Sequence, residues 1–208
     1  GETRIDQNGY INELLHEYEI HGTATTPSTS ALTCKEEKDD GDTTPCDISS
    51  YRSLIMKMMY PATRTRHDIL YTVSNLATRM NQPTNSDYRA ALRVLKYLNG
   101  TQQFCKLLRK SDNLPMGVYN LYVYCDASYA TNQDMKSQTG YSIHSSLNSG
   151  AIFAKSGKQK HVTKSSTDAE VSALYDALDE CLHLHLLLTE LSFRVNTLIY
   201  QDNQSTIT

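Results

Sequence analysis

The sequence predicts an α/β fold in its second half, preceded by a mainly helical region. Three observations carry this reading. Near residue 118 the apolar pattern changes from helical spacing to strand-like alternation. Beyond that point come three strand-like runs, one long helical run and a further strand-like run. A helix placed there lets the last strand lie parallel to one of the first three, which makes a mixed sheet. Finally, "LYVYCDAS" (121–128) and "TLIYQDNQ" (197–204) each break an apolar run with a tyrosine, one residue and an aspartate. Burying such a charge without a partner is costly.

The helical elements come first. "GYINELLHEYEI" (9–20) places Ile11, Leu14, Leu15 and Tyr18 on one helix face. Residues 21–48 carry Thr, Ser, Pro and charge, including "KEEKDDGD" (35–42), and read as a solvated linker. Asp39 and Asp40 have no apolar strand around them, unlike a paired-carboxylate metal site. Residues 49–99 read as three helices. Asp47 and Ser49 offer N-caps before "SYRSLIMKMMY". "HDILYTVSNLATRM" (67–80) and "NSDYRAALRVLKYLNGT" (85–101) follow, the last stopping at Gly100. Met56, Met58, Met59 and Met80 read as core filler. Arg64, Arg66, Arg89, Arg93 and Lys96 read either as a solvated helix face or as contacts to a phosphate backbone.

The strand-like runs are "VYNLYVYCDAS" (118–128), "TGYSIHSS" (139–146) and the start of "GAIFAKSGKQKHVTK" (150–164), which ends in a basic tail. Gly140 and Asn148-Ser149-Gly150 supply turn chemistry. "STDAEVSALYDALDECLHLHLLLTEL" (166–191) is a long helix capped by Ser166 or Thr167, and the strand "NTLIYQD" follows it.

Composition narrows the function. A net charge of −3 argues against polyanion binding by bulk charge and leaves room for a local basic patch. No apolar run approaches the roughly 20 residues of a membrane span, so no membrane partner is expected, and no secretory signal is visible. The five cysteines form no C-x-x-C pair, which argues against zinc and redox motifs. Cys125 and Cys181 read as small apolar filler in a reducing compartment. No nucleophile elbow, Cys–His signature or glycine-rich phosphate loop occurs. His183 and His185 diverge on a helix, with His185 read as a core residue.

On a helical wheel at about 100° per residue, Val171, Ala173, Leu174, Ala177, Leu178, Cys181, Leu182, Leu184, Leu188 and Leu191 cluster around Glu170. Glu170 thus sits in the apolar stripe, near its N-terminal end. A carboxylate facing a sheet must be paired, protonated or bound to a cation. If the strands ending in Asp126 and Asp202 are adjacent and parallel, Glu170 can meet both at one sheet edge. Three carboxylates there call for a divalent cation, and an oxygen-only donor set suits magnesium or manganese. Such ions activate water and stabilise a leaving oxygen in phosphodiester hydrolysis. The competing reading of each piece is a helix or turn cap, or a fuzzy helix boundary.

"DISSYRSLIMKMMYPATRTRHDILYTVSNLATRMNQP", "RAALRVLKYLNGT", "YCDASYA", "KSQTGYSI", "KQKHVTKSSTDAEVSAL" and "IYQDNQSTI" together resemble the reverse transcriptase–ribonuclease H part of the Pol polyprotein of copia-type LTR retrotransposons. The resemblance covers nearly the whole chain. It implies the end of a thumb-like segment (1–23), a flexible linker (24–48), a helical tether or connection region (49–117) and a ribonuclease H-like domain (118–208). It implies cleavage of the RNA strand of RNA–DNA hybrids with two Mg2+ ions, Mn2+ being an alternative, held by Asp126, Glu170 and Asp202. Partners would be the hybrid and the polymerase palm of the same polyprotein, in a cytoplasmic retroelement particle or the nucleus. Lys155, Lys158, Lys160, His161 and Lys164 form an acid-free stretch that would touch hybrid backbone, or else an ordinary exposed loop.

The sequence departs from the family at His67, Ser128 and Val171, where proline, a second acid and an aromatic are usual. It stops at Thr208, before the further helix, strand and fourth acid that the resemblance implies, and it has no Tyr-x-Asp-Asp motif. The expectation is therefore a C-terminally truncated domain with weak or no cleavage. Two alternatives stand beside it: an inactive remnant that binds nucleic acid or the polymerase part, and a relic frame that folds poorly alone.

Overall fold

The computed structural model describes residues 1–29, 42–109, 114–132 and 134–203. The chain divides into two units: Asp6–Cys105, and Gly1–Ile5 together with the chain from Lys106 onward. The expected Asp39-Asp40 pair lies outside the described residues.

The first unit is helical: α1 (Asn8–Glu17), α2 (Ile48–Arg64), a 3-10 turn (His67–Ile69) running into α3 (Leu70–Ala77), and α4 (Asn85–Gly100). α1 buries Ile11, Leu14 and Leu15, the stripe that the spacing predicts. Asp47, not Ser49, caps α2, accepting from the Ser50 amide at 2.7 Å. α2 runs past Tyr60 and through Pro61 to Arg64. Proline cannot bond the carbonyl four residues back, and here the Tyr10 hydroxyl donates to that carbonyl, Lys57 O, at 2.9 Å. Thr84 and Asp87 form a reciprocal capping box at the start of α4. Gly100 lies within the last turn of α4, and Thr101 is the cap. Its lack of a side chain makes room for Thr23, whose Cβ would sit 3.1 Å from an added Cβ. Met58 is core, but Met56 is exposed.

Arg66, read from the sequence as a surface or phosphate-facing residue, is instead buried. Its guanidinium grips both carboxylate oxygens of Asp68 (3.0 and 2.8 Å) and the carbonyl and hydroxyl of Thr101 (3.2 and 2.6 Å). The rings of Tyr97 and Phe104 lie 5.7 and 5.5 Å from its central carbon. Burial pushes the Asp68 carboxyl up, but Arg66 and the Tyr97 hydroxyl outweigh it and hold the group below the usual range.

The second unit contains two sheets. β1 (Glu2–Ile5) pairs antiparallel with β2 (Lys106–Arg109). The sequence reading placed residues 1–23 in one segment and drew a boundary at 117/118; here residues 1–5 join the chain from Lys106 onward. Strands of four residues are too short to show periodicity, which is why neither was anticipated. The larger sheet contains β3 (Val118–Ser128), β4 (Gln138–His144), β5 (Ala151–Lys158) and β6 (Arg194–Tyr200), in the order β5-β4-β3-β6. β3–β4 and β4–β5 are antiparallel, and β3–β6 is parallel. α5 (Ser166–Glu190) makes the crossover to β6, capped by Ser165 rather than by Ser166 or Thr167.

Leu121, Val123 and Cys125 of β3 and Tyr141 and Ile143 of β4 form a core with Ala177 and Cys181 of α5. The buried stripe of α5 also includes Ala169, Glu170 and Ala173. It is narrower than the wheel implies: Val171, Leu178, Leu182 and Leu191 are exposed. Gly140 is not in a turn but inside β4, opposite Asp126. Gly150 permits a close backbone approach: its amide donates to Leu107 O at 2.6 Å, and a Cβ would come within 3.0 Å of that oxygen. Among the described residues, no helix is long and apolar enough to cross a membrane.

The Arg66 pair gives a stability test. Arg66→Ala removes a buried side chain and its hydrogen bonds to Asp68 and Thr101, so urea unfolding should show a loss of about 1–3 kcal/mol. The depressed Asp68 carboxyl contributes stability that is present above the ordinary carboxylate range and is lost as pH falls through its lowered pKa. The deficit of the variant should therefore shrink in acid.

Candidate metal centre

The parallel register explains why the sequence repeats the Tyr-x-Asp step in two strands. β3 and β6 pair up to Tyr124 opposite Tyr200. Two residues beyond each tyrosine comes an aspartate: Asp126 within β3, and Asp202 just past the end of β6. The two tyrosines stack at 4.9 Å between ring centroids, 13° from parallel, and mark the last matched step before the carboxylates.

Glu170 arrives from α5. Ser165 caps the helix through the Asp168 amide at 3.1 Å, and Gln159 ties the first turns to the sheet. The Gln159 amide nitrogen donates to Ala169 O at 2.9 Å and to Thr139 Oγ1 at 3.0 Å. Buried Ala169 and Ala173 bring the helix close to the sheet. Glu170 is buried beneath the two exposed aspartates, and one carboxylate oxygen from each of the three lies within 4.8 Å of the others.

Three carboxylates this close together repel one another. Burial pushes the Glu170 carboxyl up, the Gln201 amide pulls it down, and the charges of Asp126 and Asp202 push it up again; the balance lies above the usual range. The Cys125 thiol is pushed up to about 11 by burial and then by the same three carboxylates. Cys125 is not a member of the cluster. The donors that the three residues bring together are carboxylate oxygens alone, which fits a hard divalent ion such as Mg2+ or Mn2+.

Gln201 is the residue that sequence reasoning missed. Its amide nitrogen donates to Glu170 Oε2 at 3.0 Å, while its Oε1 accepts from the Asp202 and Asn203 amides at 2.7 and 3.2 Å. A signal for it existed. Counted along the parallel register, Gln201 falls opposite Cys125, which faces α5, and a polar residue at a helix-facing position needs a partner.

The five basic residues divide. Lys155 Nζ lies 5.7 Å from the centre of the Tyr141 ring. Lys158 pairs with Asp134 at 3.0 Å. Lys160, His161 and Lys164 are exposed on the connection into α5. That connection is held by Gln159, by a 2.8 Å bond between Ser137 and Thr163, and by the Lys164 amide donating to Asp168 at 2.8 Å. His185 reaches Thr197 Oγ1 at 3.3 Å, and His183 is exposed, so the two rings share no site.

No family model matches the chain, and no solved structure matches it. Among curated proteins, it is 36% identical over 160 residues to the retrovirus-related Pol polyprotein from transposon RE1 of Arabidopsis thaliana, covering 76% of this chain and 10% of that protein. It is 30% identical over 215 aligned residues to the Pol polyprotein from transposon TNT 1-94 of Nicotiana tabacum, covering 98% of this chain and 15% of the relative. A transposon Ty5-1 protein of Saccharomyces cerevisiae is 30% identical over 174 residues, 82% of this chain and 53% of that protein. The chain thus spans a small part of the length of the two Pol polyproteins.

The raised Glu170 carboxyl predicts a stability gain on neutralising it. Its charged form is penalised in the fold, so wild-type stability falls as pH rises from the ordinary value of 4.5 through the raised one. With divalent ions chelated, Glu170→Gln should melt roughly 2–4 °C above wild type at neutral pH. Thermal unfolding across the acid range should show the difference vanish below the ordinary glutamate pKa.

Proposed function

We propose that this chain, homologous to part of the Pol polyproteins of copia-type retrotransposons, carries a ribonuclease H-like domain behind a helical connection region. Its reaction is divalent-metal-dependent hydrolysis of the RNA strand of RNA–DNA hybrids. The observation that carries this reading is the convergence of Asp126, Glu170 and Asp202 from two parallel strand ends and a crossover helix. The sequence motifs around those residues, in the order a ribonuclease H region would have them, support it.

Asp126, Glu170 and Asp202 would hold two Mg2+ ions, or Mn2+. Bound there, the metal would supply a water activated for attack on phosphorus and would stabilise the departing 3′ oxygen. The chain's own residues prepare that chemistry. Asp126 and Asp202 are exposed and open towards substrate, whereas buried Glu170 has little freedom to turn away. The neighbouring connection presents Lys160, His161 and Lys164, whose charges suit the phosphates of a hybrid recognised by shape rather than sequence. Further partners in this reading are the hybrid itself and the polymerase part of the polyprotein. The setting is a retroelement particle in the cytoplasm, or the nucleus.

A second reading has a specific observation behind it. Lys160, His161 and Lys164 lie exposed on the connection into α5, where phosphates could meet them. A non-catalytic module could bind nucleic acid through these residues, or bind the polymerase part, without cleaving either.

A labelled RNA–DNA hybrid incubated with the chain and Mg2+, then Mn2+, tests both readings. The expected result is cleavage of the RNA strand that drops to background with Asp126→Asn and with chelator. Binding of the hybrid by a folded sample without cleavage in either metal would select the second reading.

A further inference from the structure

We propose that Gln201 is a positioning residue for Glu170: one side-chain amide locks the buried helix carboxylate to the strand end that carries Asp202. The inference rests on the metal-site reading above and goes beyond it, because Gln201 is no acid and would touch neither ion nor substrate.

The argument begins with the backbone. The paired ladder between β3 and β6 ends at Tyr124 and Tyr200. Amides just past a strand end need other acceptors, and Gln201 Oε1 serves both Asp202 and Asn203. This orients the amide group. Turned over, it would aim its NH2 at two donors and its oxygen at the Glu170 carboxylate, both repulsive. In the orientation that satisfies the backbone, the nitrogen is left to donate, and Glu170 Oε2 receives it at 3.0 Å. Cys125 Sγ, 3.8 Å from the same nitrogen, packs against the amide and belongs to the residue preceding Asp126.

One side chain therefore touches the structural context of all three carboxylates. Glu170 faces two like charges and would otherwise rotate away from them; a hydrogen bond to its charged form opposes that. Gln201 engages a single oxygen of Glu170, Oε2. Groups that orient a metal ligand in this way typically control metal affinity about 10–100-fold.

The test uses the full chain, with Mn2+ as the probe. Gln201→Met keeps length and apolar contact without the amide. Gln201→Asn keeps the amide but is one methylene too short to span both partners. Calorimetric titration should show the Mn2+ dissociation constant rise about tenfold in each. Circular dichroism would confirm that the variants are folded. A double-mutant cycle of Gln201→Met with Glu170→Ala, read by melting temperature in chelator, should be non-additive by roughly 2–4 °C. Unchanged Mn2+ affinity with a lowered melting temperature would reduce Gln201 to a backbone cap and overturn the proposal, as would an additive cycle. If the wild type binds no Mn2+, the metal reading fails, and the cycle alone decides whether Gln201 positions Glu170.

Discussion

The arrangement depends on one register. β3 and β6 run parallel with Tyr124 level with Tyr200, and everything in the candidate site follows from that match. A shift of one residue would put Cys125 level with Asp202 and turn every β6 side chain to the opposite face. The stacked tyrosines resist such a slip. So does α5, whose small residues Ala169, Ala173 and Ala177 set how closely the helix lies on the sheet. Large residues at these positions would lift the helix and withdraw Glu170 from the strand ends. Packing, register and carboxylate geometry are thus a single constraint rather than three.

This constraint gathers like charges that a stability-optimised sequence would keep apart. The surrounding residues absorb part of the strain. Gln159 holds the first turns of α5 down, Gln201 donates to the buried carboxylate, and Gly140 leaves the strand position opposite Asp126 without a side chain. These polar contacts are short-range and neutral, and none cancels charge. In the helical unit, by contrast, the buried guanidinium of Arg66 meets a full counter-charge in Asp68. One unit neutralises its buried charge internally; the other leaves net charge at its sheet edge, where a solvated cation can reach it.

Much of this was legible in the sequence, for identifiable reasons. β3 was readable because its centre, Leu121 to Cys125, is an unbroken run of apolar and aromatic residues. Glu170 stood out because a charge within an apolar stripe violates the helical pattern. The repeated Tyr-x-Asp announced a matched pair of strand ends. Other features were hidden because they depend on partners distant in the chain. Arg66 looked like a surface cation, since nothing local reveals Thr101 and Phe104 closing over it. Gly140 looked like a turn, since only strand pairing shows that it sits mid-strand. The wheel over-assigned the buried face of α5, because it cannot know how much sheet lies beneath. Gln201 was overlooked because it sits beside a more conspicuous aspartate.

The pairing of β1 with β2 has a consequence for the order of events during folding. These two strands join residues 2–5 to residues 106–109, so the helical unit is an excursion of about a hundred residues within the second unit's chain. Bringing distant ends together is entropically costly while the intervening chain is loose, and that cost falls once the intervening helices have condensed. The helices rest mainly on local contacts, which form fast. On a ribosome they emerge ahead of β2 and can close the gap before it appears. The ribbon formed by the first five residues is then a late clasp. The carboxylate-bearing sheet, whose strands all lie after residue 117, can assemble without waiting for it.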